Sequence, residues 1–505
     1  MKMRGILASR FAAFALLLVF SGCATIQAPQ RVNLVATDPA IRACAILFRD
    51  LDRAVRAAAV SDLGARPVSG FPYLRADRFT ASFSVRANEA PAAFEQWVGR
   101  MRELDAEGRQ IEISNLPDNS FAALSIADRQ AAITQSETCA ARLLDADLGH
   151  SGSRSLLFAR AHVPDDYSSA KRALGLYALV QLPFAHGVET WQKEATENFR
   201  RARAGELPDH PVIRYVPDAG AVYSRDEVAA LLARAADNPL KIPRLNAEQR
   251  ERLFTTYAPV FEIETTGDYD RIGALYWGDS TVPRVRSEWP VVYRKLAYTR
   301  VGEATLLQLV YVAWTSERPS GRALDLLAGR LDGLVWRVTL APDAEPILFD
   351  SMHPCGCFHM FFPTPRVDPI AAPKSLIEWA FSPAGADRVG DGERLVLKAQ
   401  TRTHYLRDVA IDSGAPGVKY RFEDYDTLRS LPTPSGVTRS VFGPDGIVRG
   451  SERAERFLFW PMGVASAGAM RQWGTHATAF VGRRHFDDAD LIERRFRIAR
   501  QGTSE

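Results

Sequence analysis

Near the middle of the chain the spacing of apolar residues changes, and that change limits the fold more than any other feature. From about residue 35 to 235 the apolar positions recur every three or four residues, which predicts helices over 92–104, 167–182, 189–204 and 225–236, with a short strand candidate at 79–85. From about residue 245 onward, runs rich in Val, Leu, Tyr and Trp occupy 260–265, 271–277, 291–300, 305–314, 334–340 and 395–406, and Gly, Pro, Asp or Ser clusters separate most of them. The expected class is α+β: a helix-rich mixed domain at 35–236, then a mainly antiparallel β domain at 247–505, folded as a sandwich or a barrel. The expected boundary lies within 237–246, where Asn238, Pro239 and Pro243 break any regular pattern. A last helix is expected at 490–497, capped by Asp487 or Asp488.

The N-terminus has a separate logic. Lys2, Arg4 and Arg10 form a basic region, Phe11 to Phe20 form an unbroken apolar run, and Ser21 and Gly22 precede Cys23. The run is about half of the roughly 20 apolar residues that a membrane-spanning helix needs, so it reads as an export signal. The tetrapeptide Phe20-Ser21-Gly22-Cys23 resembles the lipobox of bacterial lipoproteins. The resemblance covers only the leader, and the alternative is an ordinary signal peptide cut at a nearby small residue. It implies that residues 1–22 are removed and that fatty acids on Cys23 hold the protein on a membrane. Ala24 at the next position implies the outer membrane, with the body of the protein in the periplasm. Residues 23–34, polar and proline-containing, then serve as a tether.

A periplasmic location agrees with the cysteines. Besides Cys23 there are Cys44, Cys139, Cys355 and Cys357. Asp38 and Pro39 read as a helix cap and first turn, after which Ile41, Cys44, Leu51 and Val55 fall on one face. Cys139 lies in a second helical pattern at 133–144. A bridge between Cys44 and Cys139 is the expected staple, although four cysteines permit three pairings and buried free thiols are the alternative. With 46% hydrophobic and 24% charged residues and a formal charge of +3, the chain has ordinary globular composition, and no Lys/Arg run is dense enough for nucleic acid.

One segment concentrates chemistry. Residues 352–360, Met-His-Pro-Cys-Gly-Cys-Phe-His-Met, hold two imidazoles, two thiols and two thioethers, in a chain with nine histidines. Soft sulfur with imidazole suits zinc or copper, so His353, Cys355, Cys357 and His359 form a candidate metal set. On an extended strand the two histidines would lie roughly 20 Å apart, too far for one ion with ligands about 2 Å away. The segment must therefore turn at Pro354 and Gly356, or two of its ligands must be joined by His404, His476 or His485 from elsewhere. A disulfide between Cys355 and Cys357 needs the same turn. Two further readings stay open: thiols and imidazoles buried as structure, and a thiolate activated by His353 or His359 for acyl transfer.

Other motifs fade. The chain has no Gly-x-Ser-x-Gly elbow, phosphate loop or His-Glu-x-x-His helix, and no Cys-x-x-Cys-His for haem. Ser168-Ser169-Ala170-Lys171 matches Ser-x-x-Lys without the Lys-Thr-Gly partner of penicillin-binding enzymes. Trp460 to Gly474 reads as a packed turn, with pocket lining as the less favoured reading. Three functional expectations follow: a metal-binding envelope lipoprotein, a non-catalytic periplasmic binding or assembly module, and a cysteine-dependent hydrolase or transpeptidase.

Overall fold

The computed structural model describes residues 27–321 and 324–499. The signal segment, Cys23 and most of the tether's first half lie outside the described residues. A short helix, Pro29–Asn33, lies inside the expected tether. The first long helix, α1 (Pro39–Ala58), begins where the Asp38 carboxylate accepts the Ala40 and Ile41 amides, and it buries Cys44, Phe48, Leu51 and Val55 on one face. Two long helices follow, α2 (Pro91–Ser114) and α3 (Arg129–Leu148). Cys44 of α1 is bonded to Cys139 of α3, across 95 residues of sequence. A hairpin of Arg66–Val68 and Phe71–Ala76 packs against α2, and Phe71 to Ala76 are all buried. Residues 79–85, expected as a strand, are instead parts of two short helices, Arg78–Ala81 and Ser84–Glu89. The Asp77 carboxylate caps the first at Thr80, and Phe79 and Phe83, one helical turn apart, meet edge to face at 5.0 Å in the core.

A ten-stranded curled sheet, open like half a barrel, forms the body of the molecule. Its strands are β1 (Val212–Pro217), β2 (Val260–Glu264), β3 (Val291–Val301), β4 (Ala304–Arg318), β5 (Gly329–Leu340), β6 (Pro346–Met352), β7 (Met360–Pro363), β8 (Leu395–Ala399), β9 (Leu406–Ile411) and β10 (Val418–Asp424). The spatial order is β7-β6-β5-β4-β3-β10-β1-β2-β8-β9. Pairing is mostly antiparallel, but β3 with β10, β10 with β1, and β2 with β8 are parallel. The class is thus α+β as expected, with one mixed sheet where a sandwich or barrel was the finer expectation. The run 395–406 is two strands joined by a tight turn in which Arg402 and His404 have φ of 64° and 52°.

Both faces of this sheet are covered, and the period of two sorts its side chains. On β4, Leu307, Leu309, Tyr311 and Ala313 enter a core shared with α4 (Tyr177–Arg203), α5 (Arg225–Ala235) and α6 (Ala247–Thr256). Val310, Val312 and Trp314 point the other way, onto Tyr425, Phe442, Met470 and Phe486 of the C-terminal loops. The helices expected at 167–182 and 189–204 are a short helix, Ser169–Leu174, followed by the single helix α4, which continues through Pro183. The expected division at 237–246 falls inside shared packing: β1 sits between β10 and β2, and Phe199, Tyr215 and Leu231 join the sheet's core from the N-terminal side. The helix expected at 490–497 is a turn ending in the strand Phe496–Ile498, which pairs with Val367–Pro369. Asp488 accepts the His485 amide instead of capping a helix, and Leu491, Ile492 and Phe496 bury beside Phe361 and Val367.

Candidate functional site

The His/Cys segment is the tip between β6 and β7, whose register pairs Ser351 with Met360. It does turn. The Gly356 amide donates to the His353 carbonyl at 2.8 Å, and the His353 amide donates to the Cys357 carbonyl at 3.0 Å. Gly356 has φ of +88°, and a Cβ there would lie 2.6 Å from the Ala477 carbonyl oxygen, so only glycine closes this loop without strain. Pro354, whose fixed φ suits the start of a turn, and Gly356 thus act as their types predict.

The turn separates the four candidate ligands. His353 Nδ1 pairs with Asp332 at 3.0 Å, and the other oxygen of Asp332 pairs with His404 Nδ1 at 3.0 Å. His404 Nε2 in turn faces Asp270 at 3.3 Å. Burial would raise the Asp332 carboxyl, but the charges of His353 and Arg453 and the imidazole hydrogen bonds hold it well below its usual range. Burial likewise opposes the His404 cation, and the hydrogen bonds to Asp270 and Asp332 outweigh it, so His404 is raised. His359 turns elsewhere: its Nε2 pairs at 2.9 Å with Asp350, which Arg337 grips through two nitrogens at 2.9 and 2.6 Å. Burial drives His359 down to about 3 and keeps it neutral. Of the three histidines considered as outside ligands, His476 pairs with the Pro354 carbonyl at 3.1 Å, His404 reaches only Asp332 and Asp270, and His485 lies among Asp165, Asp166 and Asp488. Among the described residues, no group of three or more His, Cys, Asp or Glu is arranged to hold a metal ion, and no imidazole hydrogen-bonds to either sulfur.

What the two thiols face is a cleft of about 380 Å³. Phe184, Val188 and Trp191 of α4 form one wall; Trp379, Phe381 and Phe480 form much of the other. Val464, Ala467 and Gly468 also line it, which gives part of the Trp460–Gly474 run its place. Few polar groups enter. Glu378 accepts the Phe480 and Val481 amides at 2.6 and 2.8 Å, and Arg484 donates to the Trp379 and Thr478 carbonyls at 2.8 and 2.6 Å, so both are already engaged. Glu455 differs: among the described residues no hydrogen bond reaches its carboxylate, and burial, partly opposed by Arg453 and Arg318, pushes it up to about 7. Cys355 Sγ accepts the Cys357 amide at 3.3 Å. A hydrogen bond with Cys355, together with burial, pushes the Cys357 thiol well above its usual value. Ser168 of the Ser-x-x-Lys match is a helix cap, its hydroxyl accepting the Lys171 amide.

Exposed apolar side chains precede the lining residues in sequence: Leu176, Leu179 and Leu182 at the start of α4 are 63%, 66% and 55% exposed, and Phe457 and Leu458 are exposed just before Phe459, a lining residue that meets Phe184 edge to face at 4.9 Å. Sequence reasoning found the thiols but not Glu455 or the aromatic wall of α4. The one signal of that wall is the charge-free stretch from Tyr177 to Val188, which is hydrophobic on more faces than packing uses. Comparison with known proteins finds no matching family, curated protein or solved structure.

Proposed function

We propose that this is a lipid-anchored protein of the cell envelope, held at the outer membrane through Cys23, that binds a small amphiphilic molecule in the cleft between α4 and the C-terminal loops. Its volume falls in the range of pockets that enclose small ligands, and its lining of aromatic and aliphatic groups with few polar ones fits an apolar body. Glu455 supplies the polar end. A buried carboxyl with no hydrogen-bond partner among the described residues favours a ligand with a cationic or hydrogen-bond-donating head. The exposed Leu176, Leu179, Leu182, Phe457 and Leu458, on the same segments as the lining residues Phe184 and Phe459, carry this further: exposed apolar side chains are suited to lie against lipid, where such a ligand resides. The acyl-transfer reading has less support, because His353 and His359 are committed to aspartates and neither is placed as a base for a thiol.

The observation that carries the proposal is the aromatic cleft with a buried acid, Glu455, in its lining. Gly187 gives the test. It lines the cleft, and a Cβ there meets nothing within 4 Å, so a large side chain at this position fills the space and leaves the fold intact. Protein extracted from the envelope is expected to release a co-purified amphiphile into organic solvent, and to bind an environment-sensitive apolar fluorophore. Gly187→Trp is expected to lose the first and weaken the second at least about tenfold. Equal binding by the variant would remove the cleft from consideration.

A further inference from the structure

The two free thiols, Cys355 and Cys357, have no task in holding an amphiphile, yet both open onto the cleft. On an extended strand, residues two apart have Cα atoms near 7 Å, the limit for a disulfide. The turn at Pro354 and Gly356 removes that obstacle by folding the segment on itself. The Cys357 amide reaches back to Cys355 Sγ at 3.3 Å. Meanwhile Cys44 and Cys139 are bonded, as in chains that work where disulfides persist. One cysteine pair is thus closed in the core, and a second, unbonded and two residues apart on a closed turn, lines a cavity that small molecules can enter.

We infer that Cys355 and Cys357 are a redox-active pair that exchanges with low-molecular-weight disulfides entering the cleft. The thiolate of one cysteine attacks a sulfur of the external disulfide, forming a mixed disulfide and expelling one thiolate, which takes up the first cysteine's proton. The neighbouring thiol then displaces the second external thiol, which leaves with the remaining proton, and the Cys355–Cys357 bond closes. Two electrons pass from the pair to the external disulfide, which becomes two thiols. The ring formed by residues two apart is small and strained, so the bond is readily reduced again and the pair cycles. This inference does not depend on the identity of the amphiphile.

The full-length protein is incubated in glutathione buffers of varied ratio, quenched with an alkylating agent and digested with trypsin. Residues 338–366 form one peptide that contains both cysteines and no other. It is expected to lose two hydrogens reversibly, passing from about one tenth to nine tenths bridged over roughly a hundredfold change in the ratio of oxidised glutathione to the square of reduced glutathione. Cys44–Cys139 is expected to stay closed throughout. In Cys355→Ser and Cys357→Ser the remaining sulfur is expected to hold a stable glutathione adduct, because its resolving neighbour is gone. The inference is overturned if the folded wild-type protein keeps both thiols across the whole range, if bridging occurs only in denaturant, or if zinc or copper purifies with the pair and shields it.

Discussion

Glu455 and Gly356 show how differently single residues announce themselves. Pro354 and Gly356 are legible because each restricts or frees its own backbone, whatever surrounds it. Glu455 is one glutamate among many in the sequence; only the approach of Gly468, Arg453 and the thiol turn makes it a buried acid facing a cavity. Its pH dependence has a definite sign. With a folded value near 7, against an ordinary 4.5, the folded protein holds this proton more tightly than the unfolded chain does. Glu455 therefore lowers stability progressively as pH rises from about 4.5 to 7, and fully above that. Glu455→Gln is expected to stabilise the protein by on the order of 2–3 kcal/mol at pH 8 and by almost nothing at pH 4, read from urea unfolding at the two pH values. Equal effects at both would mean the carboxyl is not buried as described. The histidines of the same segment were legible as reactive types, but their partners, Asp332 on β5 and Asp350 on β6 nine residues before His359, are set by strand pairing and could not be read from spacing.

At the scale of elements, α1 was readable from cap to last turn, since Asp38, Pro39 and the apolar face all act locally. Strands β3, β4 and β5 were readable from their β-branched and aromatic runs. The failures have local causes as well. In 79–85 the Phe79–Phe83 spacing and the Asp77 cap outweighed a strand-like composition, and where separate helices were expected at 167–182 and 189–204, α4 runs through Pro183 without a break. The Cys44–Cys139 staple belongs to this scale, because it ties α1 to α3. Cys139→Ser opens a loop of 95 residues and is expected to cost about 4 kcal/mol on the chain-entropy estimate, seen as a lowered Tm without change in far-UV circular dichroism at 25 °C. A shift near zero would show that α1 and α3 are held by packing alone.

The whole molecule is fastened by charge as well as by core. Arg429, after β10, grips Asp62 through two nitrogens at 2.9 and 2.6 Å and also pairs with Glu107. Gln472 donates to the same Asp62 at 2.7 Å, and Asn115 of the N-terminal part donates to the Arg429 carbonyl at 2.8 Å. Burial would raise Asp62, but the charge and hydrogen bond of Arg429 keep it below its ordinary value, so it is ionised in the folded protein. Removing it takes from a buried guanidinium the one carboxylate that grips it through two nitrogens, and leaves it Glu107 and Asp426. Asp62→Ala is expected to cost about 3–5 kcal/mol and to split the unfolding into two transitions, as the helical part releases from the sheet; a single transition with a small shift would contradict the seam.

These contacts also mark where the sequence stops being sufficient. The sequence by itself determined the α+β class, the first long helix with its cap, the long strands and the turn between Cys355 and Cys357, because all of these are set by neighbours within a few residues. Only the tertiary structure decided that β1 enters the sheet from across the expected boundary, that the imidazoles and thiols of one turn face different partners, and that the charge-free first half of α4 walls a cleft. Those features depend on groups from different elements, some of them hundreds of residues apart, meeting at a few ångströms, and local periodicity carries no record of such distances.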